Sequence, residues 1–165
     1  MTDRVKPEFV VSSVDFDQPV KFSARKLLAH LRNPANWREA SIHPLQTQYP
    51  FTNIEFHDRA GFSILLFPSP RAIGTLAASR PRLSEPSVLV CLGGQVIERW
   101  PRELFLVPRA AEEVIAEFLI GGKQSKVCWW VRLDQFKRET VHPGGKGLIR
   151  LWQRLQSHPN FPFAR

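Results

Sequence analysis

The segment from Pro101 to Leu133, PRELFLVPRAAEEVIAEFLIGGKQSKVCWWVRL, leaves a chain few ways to fold. It reads as strand, helix, strand. Ala110, Ala111, Val114, Ile115, Phe118 and Leu119 recur at helical spacing, and Arg109, Glu112, Glu113 and Glu117 fill the opposite side. Pro108 suits a first helical turn, where its missing N–H costs nothing. Glu112 and Glu113 lie near the positive end of the helix dipole, and Gly121 with Gly122 supplies a left-handed stop. Val127, Trp129 and Val131 then alternate with Cys128, Trp130 and Arg132, as in a strand with two different faces. This is a scaffold, and it carries no obvious chemistry.

The residues before it add strands. Phe9, Val10 and Val11 suit an edge strand or a loosely held arm. Ser23 is placed to cap a short helix in which Leu27, Leu28 and Leu31 form the apolar side, with Asn33-Pro34 as its end. From Trp37 to Pro50 the pattern is irregular. Ile54 and Phe56 alternate with Glu55 and His57, a turn follows at Asp58–Gly61, and Phe62 to Phe67 reads as a strand. Ile73 to Ala78 is a weaker strand, and a polar loop, SRPRLSEP, follows it. Val88 to Leu92 is nearly all apolar and is expected in the centre of a sheet. Gly93-Gly94 turns the chain into Gln95–Glu98. The order predicts an α+β fold: a mostly antiparallel sheet of about five to six strands with two to three helices packed on it.

A length of 165 residues is that of a single domain. Its core is expected at about residues 51–133, with a helix-bearing N-terminal extension over 1–50 and a basic helical C-terminal extension over 134–165. No apolar run suits a signal peptide or a membrane span, which favours a soluble, cytoplasmic protein. Two cysteines, Cys91 and Cys128, are too few for a disulfide framework, which favours free buried thiols; a bridge stays open if their strands are neighbours. The net charge of +8 points to an acidic partner, protein or nucleic acid. Lys146, Arg150 and Arg154 stand four apart on the flank of an amphipathic stretch formed by Leu148, Leu151, Trp152 and Leu155.

The patterns that signal chemistry are weak. Gly122-Lys123 and Gly145-Lys146 lack the upstream glycine and the following Ser or Thr of a phosphate loop. The five histidines show none of the close spacings of zinc sites. Glu55, His57 and Asp58 form a titratable cluster without a nucleophile motif, and a solvent-facing strand explains them as well. No catalytic, cofactor or metal residues are therefore assigned. For contact with a partner, Glu98–Arg102 supplies Arg99, Trp100 and Arg102, residue types that dominate binding hot spots. Trp100 also suits a cap on one end of the core.

The order of strands after Gly61, followed by Val107-Pro108, Ala110, Ala111, Glu117-Phe118-Leu119, Gly121-Gly122 and a strand bearing Trp129 and Trp130, resembles immunity protein family one of bacterial polymorphic-toxin systems. The resemblance covers about residues 51–130. It implies a small non-enzymatic α+β protein that binds one cognate toxin and blocks it sterically. Members of that family are usually acidic, whereas this chain is basic. On this reading Arg99, Trp100, Arg102, Lys146, Arg150 and Arg154 are the candidate partner-binding residues. The alternative is a basic nucleic-acid-binding module that uses the C-terminal helix, and an enzyme centred on His57 comes third.

Overall fold

The computed structural model describes residues 8–13, 15–33, 36, 39–57, 59–92 and 96–142. Ten strands and two α-helices are built from them. In chain order these are β1 (Glu8–Ser13), β2 (Val20–Ser23), α1 (Ala24–Leu31), β3 (Ala40–Pro44), β4 (Phe51–His57), β5 (Gly61–Phe67) and β6 (Thr75–Ala78). Then come β7 (Val88–Leu92), β8 (Val96–Trp100), a 3-10 turn at Arg102–Leu104, α2 (Pro108–Gly121), β9 (Trp129–Arg132) and β10 (Glu139–His142). Seven strands form one antiparallel sheet in the order β2-β1-β3-β4-β5-β6-β9, and three form a second in the order β10-β8-β7. The fold is α+β and antiparallel, with more strands than the sequence suggests.

Alternation along the strands divides the large sheet into two faces. One carries Phe9 and Val11 of β1, Ile42 of β3, Ile54 of β4 and Phe62, Ile64 and Leu66 of β5, all buried. Both helices cover it, α1 through Leu27 and Leu31 and α2 through Ala111, Val114, Ile115, Phe118 and Leu119. Part of the other face, Leu65 of β5, Leu76 and Ala78 of β6 and Val131 of β9, packs with Val90 of β7, Trp100 of β8, Leu104, Phe105 and Phe136 in a second core.

The helix ends follow their local chemistry. Ser23 Oγ accepts the Lys26 N–H at the start of α1. Pro108 opens α2, and Gly122 closes it at φ 61° with its N–H on the Phe118 carbonyl at 2.7 Å. Arg32, just past α1, bonds Glu112 of α2 at 2.8 Å. Both groups meet water, so Arg32→Ala is expected to cost less than about 1 kcal/mol in urea unfolding, an effect that shrinks further in high salt.

Four expectations are corrected. Residues 8–44 are no extension: β1, β2 and β3 provide three of the seven strands, and α1 lies over the shared core. The irregular stretch after Trp37 contains β3, whose Ala40 and Ile42 point inward while Ser41 and His43 point away. The apolar β7 lies at the edge of the small sheet, where Val88 and Val90 turn to the second core. Before α2, the expected strand is a 3-10 turn followed by a single bridge between Leu106 and Phe62. Among the described residues no helix is long and apolar enough to cross a membrane.

Candidate partner-binding groove

The segment between β8 and α2 builds one wall of a groove of about 440 Å³. Leu104 and Phe105 sink into the second core. Leu106 then bridges to β5, exchanging two backbone hydrogen bonds of 2.8 Å with Phe62. That close approach requires glycine at position 61: a Cβ there would stand 2.3 Å from the Leu106 carbonyl oxygen, and φ is +106°. With Leu106 held inward, Val107 turns out and is 61% exposed. The opposite wall is Ser79 and Arg80 beyond β6, with Val127, 49% exposed, and Cys128 leading into β9.

The charges at the groove come from two segments, Arg80 from the loop after β6 and Arg102 with Glu103 from the 3-10 turn. Arg102 donates through Nη1 to the Ala60 carbonyl in the β4–β5 turn, which fixes its guanidinium. Glu103 is held in place by Ser84, whose backbone N–H and Oγ both bond Oε2, at 3.0 and 2.8 Å. The Ser84 backbone hydrogen bond leads in holding the Glu103 carboxyl below its ordinary range. Cys91 and Cys128 are not joined in a disulfide. Burial pushes the Cys128 thiol up to about 11, with Glu117 adding to it, so at neutral pH it is a thiol rather than a nucleophilic thiolate.

Of the residues marked in the sequence, Arg102 is placed at this groove. Trp100 is not available to a partner: it is 5% exposed, its ring meets Phe136 edge-on at 5.4 Å, and Nε1 donates to the buried Glu98 at 2.8 Å. An indole needs a partner for its N–H when buried, and Glu98 two residues away supplies one. Arg99 pairs with Glu139 at 3.2 Å across the β8–β10 ladder. Lys146, Arg150 and Arg154 lie outside the described residues. Arg80, Val107 and Val127 had no place among the expected contacts. One sequence signal did point to Val107: an aliphatic side chain stands at the N-cap, where Ser, Thr, Asp or Asn would satisfy a backbone N–H.

Comparison with protein-family models, with curated proteins and with solved structures finds no match.

A second cluster lies behind the groove. His57 of β4 is 2% exposed, and its Nε2 stands 3.0 Å from Ser63 Oγ of β5 and 3.6 Å from Glu55 Oε2. The Phe105 ring meets the imidazole edge-on at 5.0 Å. Histidine beside a serine hydroxyl is the pairing that activates a nucleophile. Here the histidine and the serine are both buried, and the Ser63 hydroxyl and the Glu55 carboxyl lie against the same imidazole nitrogen, Nε2. Burial lowers His57 to about 4, and burial followed by the nearby Glu39 charge raises Glu55 to about 8. Asp58, the third member expected from the sequence, lies outside the described residues. Among the described residues no three histidine, cysteine or acidic side chains are grouped to hold a metal ion.

Proposed function

We propose that this is an immunity protein that binds a cognate bacterial toxin and neutralises it by steric occlusion, with the groove between Arg80, Arg102, Val107 and Val127 as a contact surface. One observation carries the reading: two aliphatic side chains stand out in solvent beside two guanidinium groups, at the rim of a concave site with a buried apolar floor. Exposed apolar groups clustered in this way mark interaction surfaces, and arginine is enriched at the contacts that dominate binding. The local resemblance of residues 51–130 to immunity protein family one supports the same reading. The burial of both His57 and Ser63 suits a structural role for that pair.

The test is co-expression with the toxin encoded beside the gene. The wild-type chain is expected to protect the cell and to co-purify with the toxin. Val107→Asp combined with Val127→Asp is expected to weaken the complex at least about tenfold, since burying either carboxylate against the toxin costs more than 1 kcal/mol. Absence of both protection and co-purification overturns the proposal. Binding to nucleic acid that weakens steeply with salt would move the function to the alternative reading.

A further inference from the structure

Resting on that reading, we infer that the groove takes an extended peptide segment of the partner in which an acidic side chain stands beside aliphatic ones. Three features define this occupant. First, the charges leave an excess of positive sign. Among the described residues that line the groove, Arg80 and Arg102 face one acid, Glu103, whose Oε2 already accepts two hydrogen bonds from Ser84.

Second, the guanidinium groups have donors to offer. A guanidinium carries five N–H donors in a fork that matches a carboxylate. Arg102 commits one nitrogen to Ala60, and that bond holds the rest of the fork in place. Arg80 donates no hydrogen bond among the described residues and feels Glu103 as a neighbouring charge. A carboxylate arriving between them would displace no existing ion pair.

Third, most of the remaining lining is aliphatic or aromatic, with Phe105, Leu106 and Ala110 below and Val107 and Val127 at the rim, beside Ser79 and the Cys128 thiol. The volume, about 440 Å³, falls in the range of roughly 300–1,000 Å³ that holds small ligands or a few side chains. An anion alone would fill the cationic end and leave the valines in water. An apolar segment alone would leave the guanidinium groups facing buried hydrocarbon. A segment with both satisfies both ends, and its side-chain carboxylate is the recognised group.

The experiment is a nitrogen-15 NMR titration of the full chain with a terminally blocked pentapeptide that carries a central glutamate between leucines. Amide shifts are expected at Ser79, Arg80, Arg102, Val107 and Val127, with at least about tenfold weaker binding when glutamine replaces the glutamate. Arg80→Gln, a change in an exposed loop, is expected to erase that preference while the remaining spectrum stays in place. Val127→Ser is expected to weaken both peptides alike.

Equal binding of the glutamate and glutamine peptides, shifts elsewhere, or no shifts at millimolar peptide would overturn the inference. So would tighter binding of inorganic phosphate or a single-stranded oligonucleotide, which would make this an anion site. Tighter binding of an all-leucine peptide with a free C-terminus would assign the groove to a terminal carboxylate and overturn the side-chain assignment. If the toxin fails to co-purify and the titration succeeds, the immunity reading falls and the groove assignment stands. The reverse outcome separates them equally well.

Discussion

Gly61→Ala is expected to lower stability by about 3 kcal/mol and to open the groove wall. Two costs combine at this position. The backbone sits at φ +106°, which an L side chain rarely adopts, and the new Cβ would lie 2.3 Å from the Leu106 carbonyl oxygen. That neighbour is backbone, so no side-chain rotation relieves the clash; either β5 or the 105–107 segment must shift. The Phe62–Leu106 hydrogen bonds are the ones that break. Gly122 makes an informative comparison. Its φ is +61° and its nearest neighbour is the Pro50 ring at 2.7 Å, so Gly122→Ala disturbs the end of α2 and leaves the bridge intact. Hydrogen exchange reads the difference: Gly61→Ala should lose protection at the Phe62 and Leu106 amides beyond any global loss. If those amides stay as protected as in the parent, the bridge does not depend on Gly61. Loss of toxin capture in the same variant would follow from Val107 losing its position.

The periodic elements were legible in the sequence, and the elements held by tertiary contact were not. α2 showed its apolar stripe, its proline start and its glycine stop, because each is a local rule that tertiary structure has no reason to override. β5 and the strand part of the 127–132 segment were legible for the same reason. β3 was not, since five residues with two inward positions, Ala40 and Ile42, make too short a pattern beside Pro44. β7 misled because an apolar run signals burial without saying which sheet provides it. Trp100 misled in a related way: tryptophan and arginine at a turn describe a binding anchor and a capped core equally well, and the burial of the indole with its N–H on the Glu98 carboxylate distinguishes them. The groove itself had no contiguous signal. Its walls come from residues 79–80, 102–110 and 127–128, brought together by the sheet order and by a bridge of one residue pair. Exposure of Val107 and Val127 is a property of the assembled surface, and no spacing rule encodes it.

The Glu55–His57 pair is expected to give the protein a flat stability between about pH 4.5 and 6.5 and a loss of about 2 kcal/mol between pH 6.5 and 8. The reason is that the two shifts oppose each other. Glu55 has its folded value raised from 4.5 to about 8, so the stability it contributes is present below 4.5 and is lost as pH rises towards 8. His57 has its folded value lowered from 6.5 to about 4, so its contribution is present above 6.5 and is lost as pH falls towards 4. Between 4.5 and 6.5 the folded chain holds the Glu55 proton while the unfolded chain holds the His57 proton, and the pH slopes cancel. Above 6.5 only Glu55 still differs between the states. Its side chain keeps 30% of its surface exposed, so water tempers the alkaline loss and the figure is an upper one. Glu55→Gln separates the two contributions. It is expected to abolish the decline above pH 6.5 and to uncover the His57 limb, a fall of up to about 3 kcal/mol as pH drops from 6.5 to 4. Urea unfolding of parent and variant at half-unit pH steps gives the difference curve, in which all other titrating groups cancel. A decline above pH 6.5 that persists unchanged in Glu55→Gln would show that Glu55 is ionised in the folded protein at neutral pH.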